Sequence, residues 1–190
     1  MRLPTTPIGT LMTEHRLIIR VVNDMRRRAE EIASGHEISP SYIDAVTDFL
    51  RTYTDECHHG KEEDILFRQL AEKPLSPELG EMMQQLIEDH RWARTKVAAL
   101  VDMSQRLREG DASVMSDVGG HLAELAEFYP RHIETEDHTF FKPAMEYFDK
   151  DERAAMEHEF EQFDRAMIHA KYARVAEDLE AGKIPLAVSG

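Results

Sequence analysis

His58-His59-Gly60-Lys61-Glu62-Glu63-Asp64-Ile65-Leu66-Phe67 and His132-Ile133-Glu134-Thr135-Glu136-Asp137-His138-Thr139-Phe140-Phe141 lie 74 residues apart and share one pattern. Each opens on a histidine, places a glutamate four residues later and ends on an apolar pair. Upstream, Leu11-Met12-Thr13-Glu14-His15-Arg16 matches Leu86-Ile87-Glu88-Asp89-His90-Arg91 at an offset of 75 residues. Each half thus gives one histidine and then a His-x-x-x-Glu. Apolar residues recur at helical spacing almost throughout, and no alternating strand pattern stands out. The halves therefore read as two helical hairpins of one design, which predicts an all-α, up-down four-helix bundle with a pseudo-two-fold site.

Punctuation sets the helix limits. The first helix runs from about Thr10 to Ser34 before Gly35, and the second starts at Ser39-Pro40 and stops before Pro74. Ser76-Pro77 repeats that N-cap and first-turn proline. The third helix then runs to about Glu109, and the fourth from about Ala112 to Phe148, with Pro130 and Pro143 expected to kink it. Asp149 and Glu152 resemble a capping box opening a fifth, C-terminal helix that ends before Gly182. Its stripe of Met156, Phe160, Phe163 and Met167 would pack it on the bundle. The expectation is a single domain over 1–190, with the bundle at about 10–148 and the additional helix at about 151–181.

The spacing has a chemical meaning. Residues four apart on a helix are turned by about 40° and lifted by about 6 Å, so a histidine and glutamate at that interval face one metal ion. His15, His58, Glu62, His90, His132 and Glu136 form the expected ligand core. Imidazole with carboxylate suits iron, and glutamates from opposing helices can bridge two cations. A metal-free reading would bury four imidazoles and two carboxylates to no purpose. His59 and Glu63 also have four-residue spacing, but the repeat sets Ile133 opposite His59, so the register favours His58 and Glu62. On that register, replacing His59 should not cost iron. His169 and Glu161 on the fifth helix are weaker candidates, with packing the plainer role for that helix. His121 has Thr47 as its repeat counterpart and is left out of the ligand set. Glu14, Asp89, Glu63 and Asp137, beside ligands in both halves, are placed to accept the outer N–H of metal-bound imidazoles.

Composition narrows the partners. The 190 residues carry 23 basic and 37 acidic side chains, a formal charge of −14 that disfavours nucleic acid and anionic membranes. Cys57 is the one cysteine, which excludes a disulfide framework or a thiolate cluster made from this chain alone and suits the reducing cytoplasm. No stretch approaches the roughly 20 apolar residues that span a bilayer. Cys57 itself reads as a small buried side chain turned from the ligand face.

The order His, His-x-x-x-Glu, His, His-x-x-x-Glu, with Glu62-Glu63-Asp64-Ile65-Leu66-Phe67 after it, resembles the hemerythrin-like HHE cation-binding family from about Leu11 to Met145. The resemblance implies a bundle around two non-haem irons with an oxo or hydroxo bridge. Oxygen-carrying members place a bridging aspartate five residues after the matching histidine, the position of Asp137, although Glu136 faces the site better. They also use two histidines four apart on the third helix, where this chain has Arg94. The implied partner is a small oxidant (oxygen, peroxide or nitric oxide), bound for sensing or reduced with electrons from a donor protein. Iron donation to damaged centres is the alternative within the family, and a metal-free acidic scaffold the alternative outside it.

Overall fold

The structure is a computed structural model that describes residues 6–180, with side chains described through Met167. All its regular elements are helical. Helix α1 is Pro7–Ala33, capped by Thr6, whose hydroxyl accepts from the Gly9 amide at 3.2 Å. Helix α2 is one continuous run over residues 40–70, in which two π-helical stretches, Phe49–His59 and Glu62–Phe67, interrupt α-helical turns. Helix α3 is Pro77–Arg108. Helix α4 covers residues 112–145: a 3-10 turn at Ala112–Val114, α-helix over Met115–Thr135, a π turn at Glu136–Phe140 and a last α turn at Phe141–Met145. Helix α5 is Lys150–Glu180.

The limits fall within a few residues of those the punctuation predicts. Gly35 and Gly110, with φ of 88° and 91°, close α1 and α3. The amides that follow them, His36 and Asp111, turn back onto the carbonyls of Glu31 and Arg106, both at 3.0 Å. The capping box also forms: the Asp149 amide donates to Glu152 and the Glu152 amide to Asp149, both at 2.9 Å. In α4 the irregularity lies between the two prolines, as the π turn at Glu136–Phe140.

Helix α1 lies along α4, α3 packs against α2 and α4, and α5 lies over α1 and α2. Their apolar faces make two separate cores. One holds Ile18, Val22, Leu50, Val97, Leu122 and Tyr129 among others, and the second Leu11, Leu66, Phe67, Leu86, Phe140 and Phe141. Between them, every helix of the bundle turns histidine or glutamate inward. Met156 and Phe160 of α5 join the second core. Gly60 makes room for α5, since a Cβ there would lie 2.7 Å from the Phe163 ring.

Candidate metal centre

His15, His58, Glu62, His90, His132 and Glu136 meet in this layer, none more than 4% exposed. The Nε2 atoms of His15 and His58 are 2.8 Å apart, and those of His90 and His132 are 3.1 Å apart. The two glutamates reach across both pairs. Glu62 sets Oε1 at 3.4 Å from His58 Nε2 and Oε2 at 3.5 Å from His90 Nε2. Glu136 sets Oε2 at 3.2 Å from His15 Nε2 and Oε1 at 3.1 Å from His132 Nε2. Each hairpin thus contributes two histidines and one glutamate to this layer.

The outer edges of the rings explain why the inner edges converge. His58 Nδ1 meets Glu14 at 2.9 Å and His132 Nδ1 meets Asp89 at 3.3 Å, each within its own hairpin. His90 Nδ1 meets Glu63 at 2.7 Å and His15 Nδ1 meets Asp137 at 2.8 Å, each across the hairpins. A carboxylate on Nδ1 holds the proton there and aims the Nε2 lone pair inward. Asp137 and Glu63 therefore stand behind imidazoles, while Glu62 and Glu136 face the interior.

Elementary energetics test whether this donor set fits a metal. All four carboxylate oxygens of Glu62 and Glu136 are buried without a hydrogen bond. An unpaired buried carboxylate costs several kcal/mol or more, which a cation between the imidazole pairs would offset. Without one, protons do that work. Burial opposes charge on His15, yet its bond to Asp137 and the nearby Glu136 carboxylate raise it to about 9. Burial likewise opposes charge on His132, and Glu136 and Asp89 raise it to about 10. Burial and the charge of Glu136 push Glu62 well above the usual carboxylate range. Burial also tends to raise Glu136, but His132 and His15 pull it well below. Burial and neighbouring His15 lower His58 to about 4. Imidazole Nε2 atoms together with carboxylate oxygens are a donor set that fits iron.

The structure brings one further histidine inward. His59 is 2% exposed, its ring stacks on His90 at 3.8 Å and 10°, and its Nδ1 meets Asp55 at 3.2 Å. His59, His90 and His132 form a second buried group of donors beside that of His15, His58, Glu62 and Glu136. The backbone over Phe49–His59 is π-helical there. A regular helix would turn His59 about 100° from His58, whereas the wider π turn narrows that step.

The weaker candidates lie elsewhere. Glu161 is exposed and pairs with Arg165 at 3.5 Å, and His121 pairs with Glu124 at the same distance. The side chain of His169 lies outside the described residues. Cys57 is buried, as expected, and belongs to a cluster that spacing alone does not reveal. Lys61, wholly buried, donates to Glu14, and to Asp164 of α5 at 2.7 Å, with Cys57 Sγ at 3.5 Å. That cluster already holds a cation, the Lys61 ammonium. Arg94 was also missed as a functional group: its guanidinium joins Asp55 at 2.7 Å to Glu63 at 2.8 Å.

The family model described as hemerythrin HHE cation binding domain matches residues 6–144. The chain belongs to this hemerythrin family. The matched span takes in α1, α2, α3 and nearly all of α4, and leaves α5 outside. A hemerythrin HHE domain implies cation binding, and the buried His/Glu clusters fit that trait, with iron as the expected cation. Comparison with curated proteins gives no match, and neither does comparison with solved structures. Among the described residues no helix is long and apolar enough to cross a membrane.

Proposed function

We propose that this hemerythrin-family chain is a cytoplasmic non-haem di-iron protein that binds or reacts with a small oxidant, in oxygen or redox sensing or in detoxification. The observation that carries the proposal is the set of four hydrogen-bond-free oxygens on Glu62 and Glu136, each carboxylate spanning two imidazole pairs. Iron would supply redox electrons and Lewis acidity there. His15, His58, His90 and His132 would hold it, with Glu14, Asp89, Glu63 and Asp137 fixing ring orientation. The apolar cores above and below exclude bulk water. A cavity of about 400 Å³ between α2 and α3 reaches His59 and Tyr129, which supports entry of a molecule of a few atoms.

Complete burial of the core ligands favours a retained centre over an iron donor. Sensing and oxidoreductase readings differ in turnover, and the latter needs an electron-donor protein. Iron analysis of freshly purified protein, with visible spectra before and after anaerobic reduction and return to air, tests the proposal. About two irons per chain and an absorption lost on reduction and regained in air are expected. One iron, or zinc alone, would overturn it. Steady oxidant consumption with a reductant would then mark an enzyme, and stoichiometric reversible binding a sensor.

A further inference from the structure

The pseudo-two-fold repeat makes its exceptions informative. Where the halves are equivalent, His15, His58 and Glu62 answer to His90, His132 and Glu136. At the same offsets, His59 answers to Ile133, Asp55 to Tyr129 and Arg94 to Ile19. Ile133 and Tyr129 belong to the apolar core, and Ile19 packs against it. In the other half, the three polar residues form one connected chain. Arg94 Nε donates to Asp55 Oδ1 at 2.7 Å, and the same oxygen meets His59 Nδ1 at 3.2 Å. The guanidinium also donates through Nη2 to Glu63, whose carboxylate meets His90 Nδ1 at 2.7 Å. One cation therefore fixes the carboxylates behind two stacked imidazoles. The backbone breaks symmetry at the same place: α2 is π-helical over Phe49–His59, whereas α4 is α-helical over Met115–Thr135.

Resting on the dinuclear reading above, we propose that His59 is a third imidazole ligand of the ion held by His90 and His132, positioned by Asp55 and Arg94, so that the two ions are unequally held. The His90 side then has five protein donors: His59, His90, His132 and one oxygen from each of Glu62 and Glu136. The His15 side has four. Arg94, at the third-helix place where oxygen carriers keep a histidine, acts here from behind, and α2 supplies the imidazole.

The test compares iron content, Mössbauer spectra and iron loss to a chelator in the wild type, His59→Ile, His59→Ala and Arg94→Leu. His59→Ile and Arg94→Leu install apolar residues of the kind the other half carries, so both should keep the fold, checked by circular dichroism of the metal-free proteins. The wild type should hold two irons in two distinct environments. His59→Ile and His59→Ala should retain about one, with anomalous scattering lost on the His90 side. Arg94→Leu should keep His59 but release the second iron at least about 10-fold faster, the scale of losing a group that orients a ligand. Two irons with an unchanged spectrum in either folded His59 variant would overturn this proposal alone. A wild type unable to hold two irons would instead overturn the dinuclear reading.

Discussion

Metal uptake by this centre must expel protons, and the structure says from where. In the metal-free site His15 titrates near 9 and His132 near 10, because Asp137, Glu136 and Asp89 outweigh their burial. Both are protonated at pH 7, so a metal must displace a proton from each. The raised pKa values fix the sign: affinity falls as pH drops and rises until each group titrates. At pH 7 the gaps of about two and three pH units amount to roughly 7 kcal/mol of opposed binding, at about 1.4 kcal/mol per unit. Between pH 7 and 9 the affinity for the pair of ions should rise about 100-fold per unit, and between 9 and 10 about 10-fold. His58, lowered to about 4 by burial and by neighbouring His15, adds none. Anaerobic competition of ferrous iron against a chelator gives the slope, and an indicator dye in weak buffer at pH 7.5 counts the protons. About two per filled centre are expected. A flat affinity from pH 7 to 9, or release below one proton, would refute the assignment of charge to His15 and His132.

The same protonation stabilises the metal-free fold. Its contribution should be complete below about pH 6.5 and vanish as pH rises through 9 to 10, so the Tm of metal-free protein should fall over that window, read by circular dichroism. Glu136→Ala removes the carboxylate that reaches His15, His90 and His132, and should cost both irons by elemental analysis, whereas His58→Ala should cost one. Lys61→Met leaves Glu14 and Asp164 without their buried cation and should lower stability to urea by about 3–5 kcal/mol. Gly60→Ala drives a methyl into Phe163 and should cost about 1–3 kcal/mol, recovered in part by adding Phe163→Ala.

The bundle and its six-residue core were legible because duplication wrote them twice: each His-x-x-x-Glu vouches for the other. Caps at Ser39, Ser76 and Asp149 gave the limits for local reasons, since those side chains bond amides two or three residues on. Glu14, Asp89, Glu63 and Asp137 could be named as ring partners from adjacency alone. His59 was ranked below His58 because the repeat sets Ile133 opposite it, and a repeat cannot vouch for a residue that only one half carries. Its partner Asp55, four residues earlier, was a signal available in the sequence. Arg94 was read only as a missing histidine, since its two carboxylates lie 39 and 31 residues away. The Lys61 cluster needs Asp164, and nothing in α2 tells where α5 comes to rest.

The carboxylates that cross between hairpins have a mechanical consequence. Glu62 reaches His90 from the first hairpin, Glu136 reaches His15 from the second, and Glu63 and Asp137 repeat the exchange on the outer edges. Neither hairpin contains a complete shell of its own. Loaded with metal, the centre is a rivet through the seam between the two copies, set where the apolar cores leave a gap. Two separately expressed hairpins should thus join when metal is added and part when it is stripped.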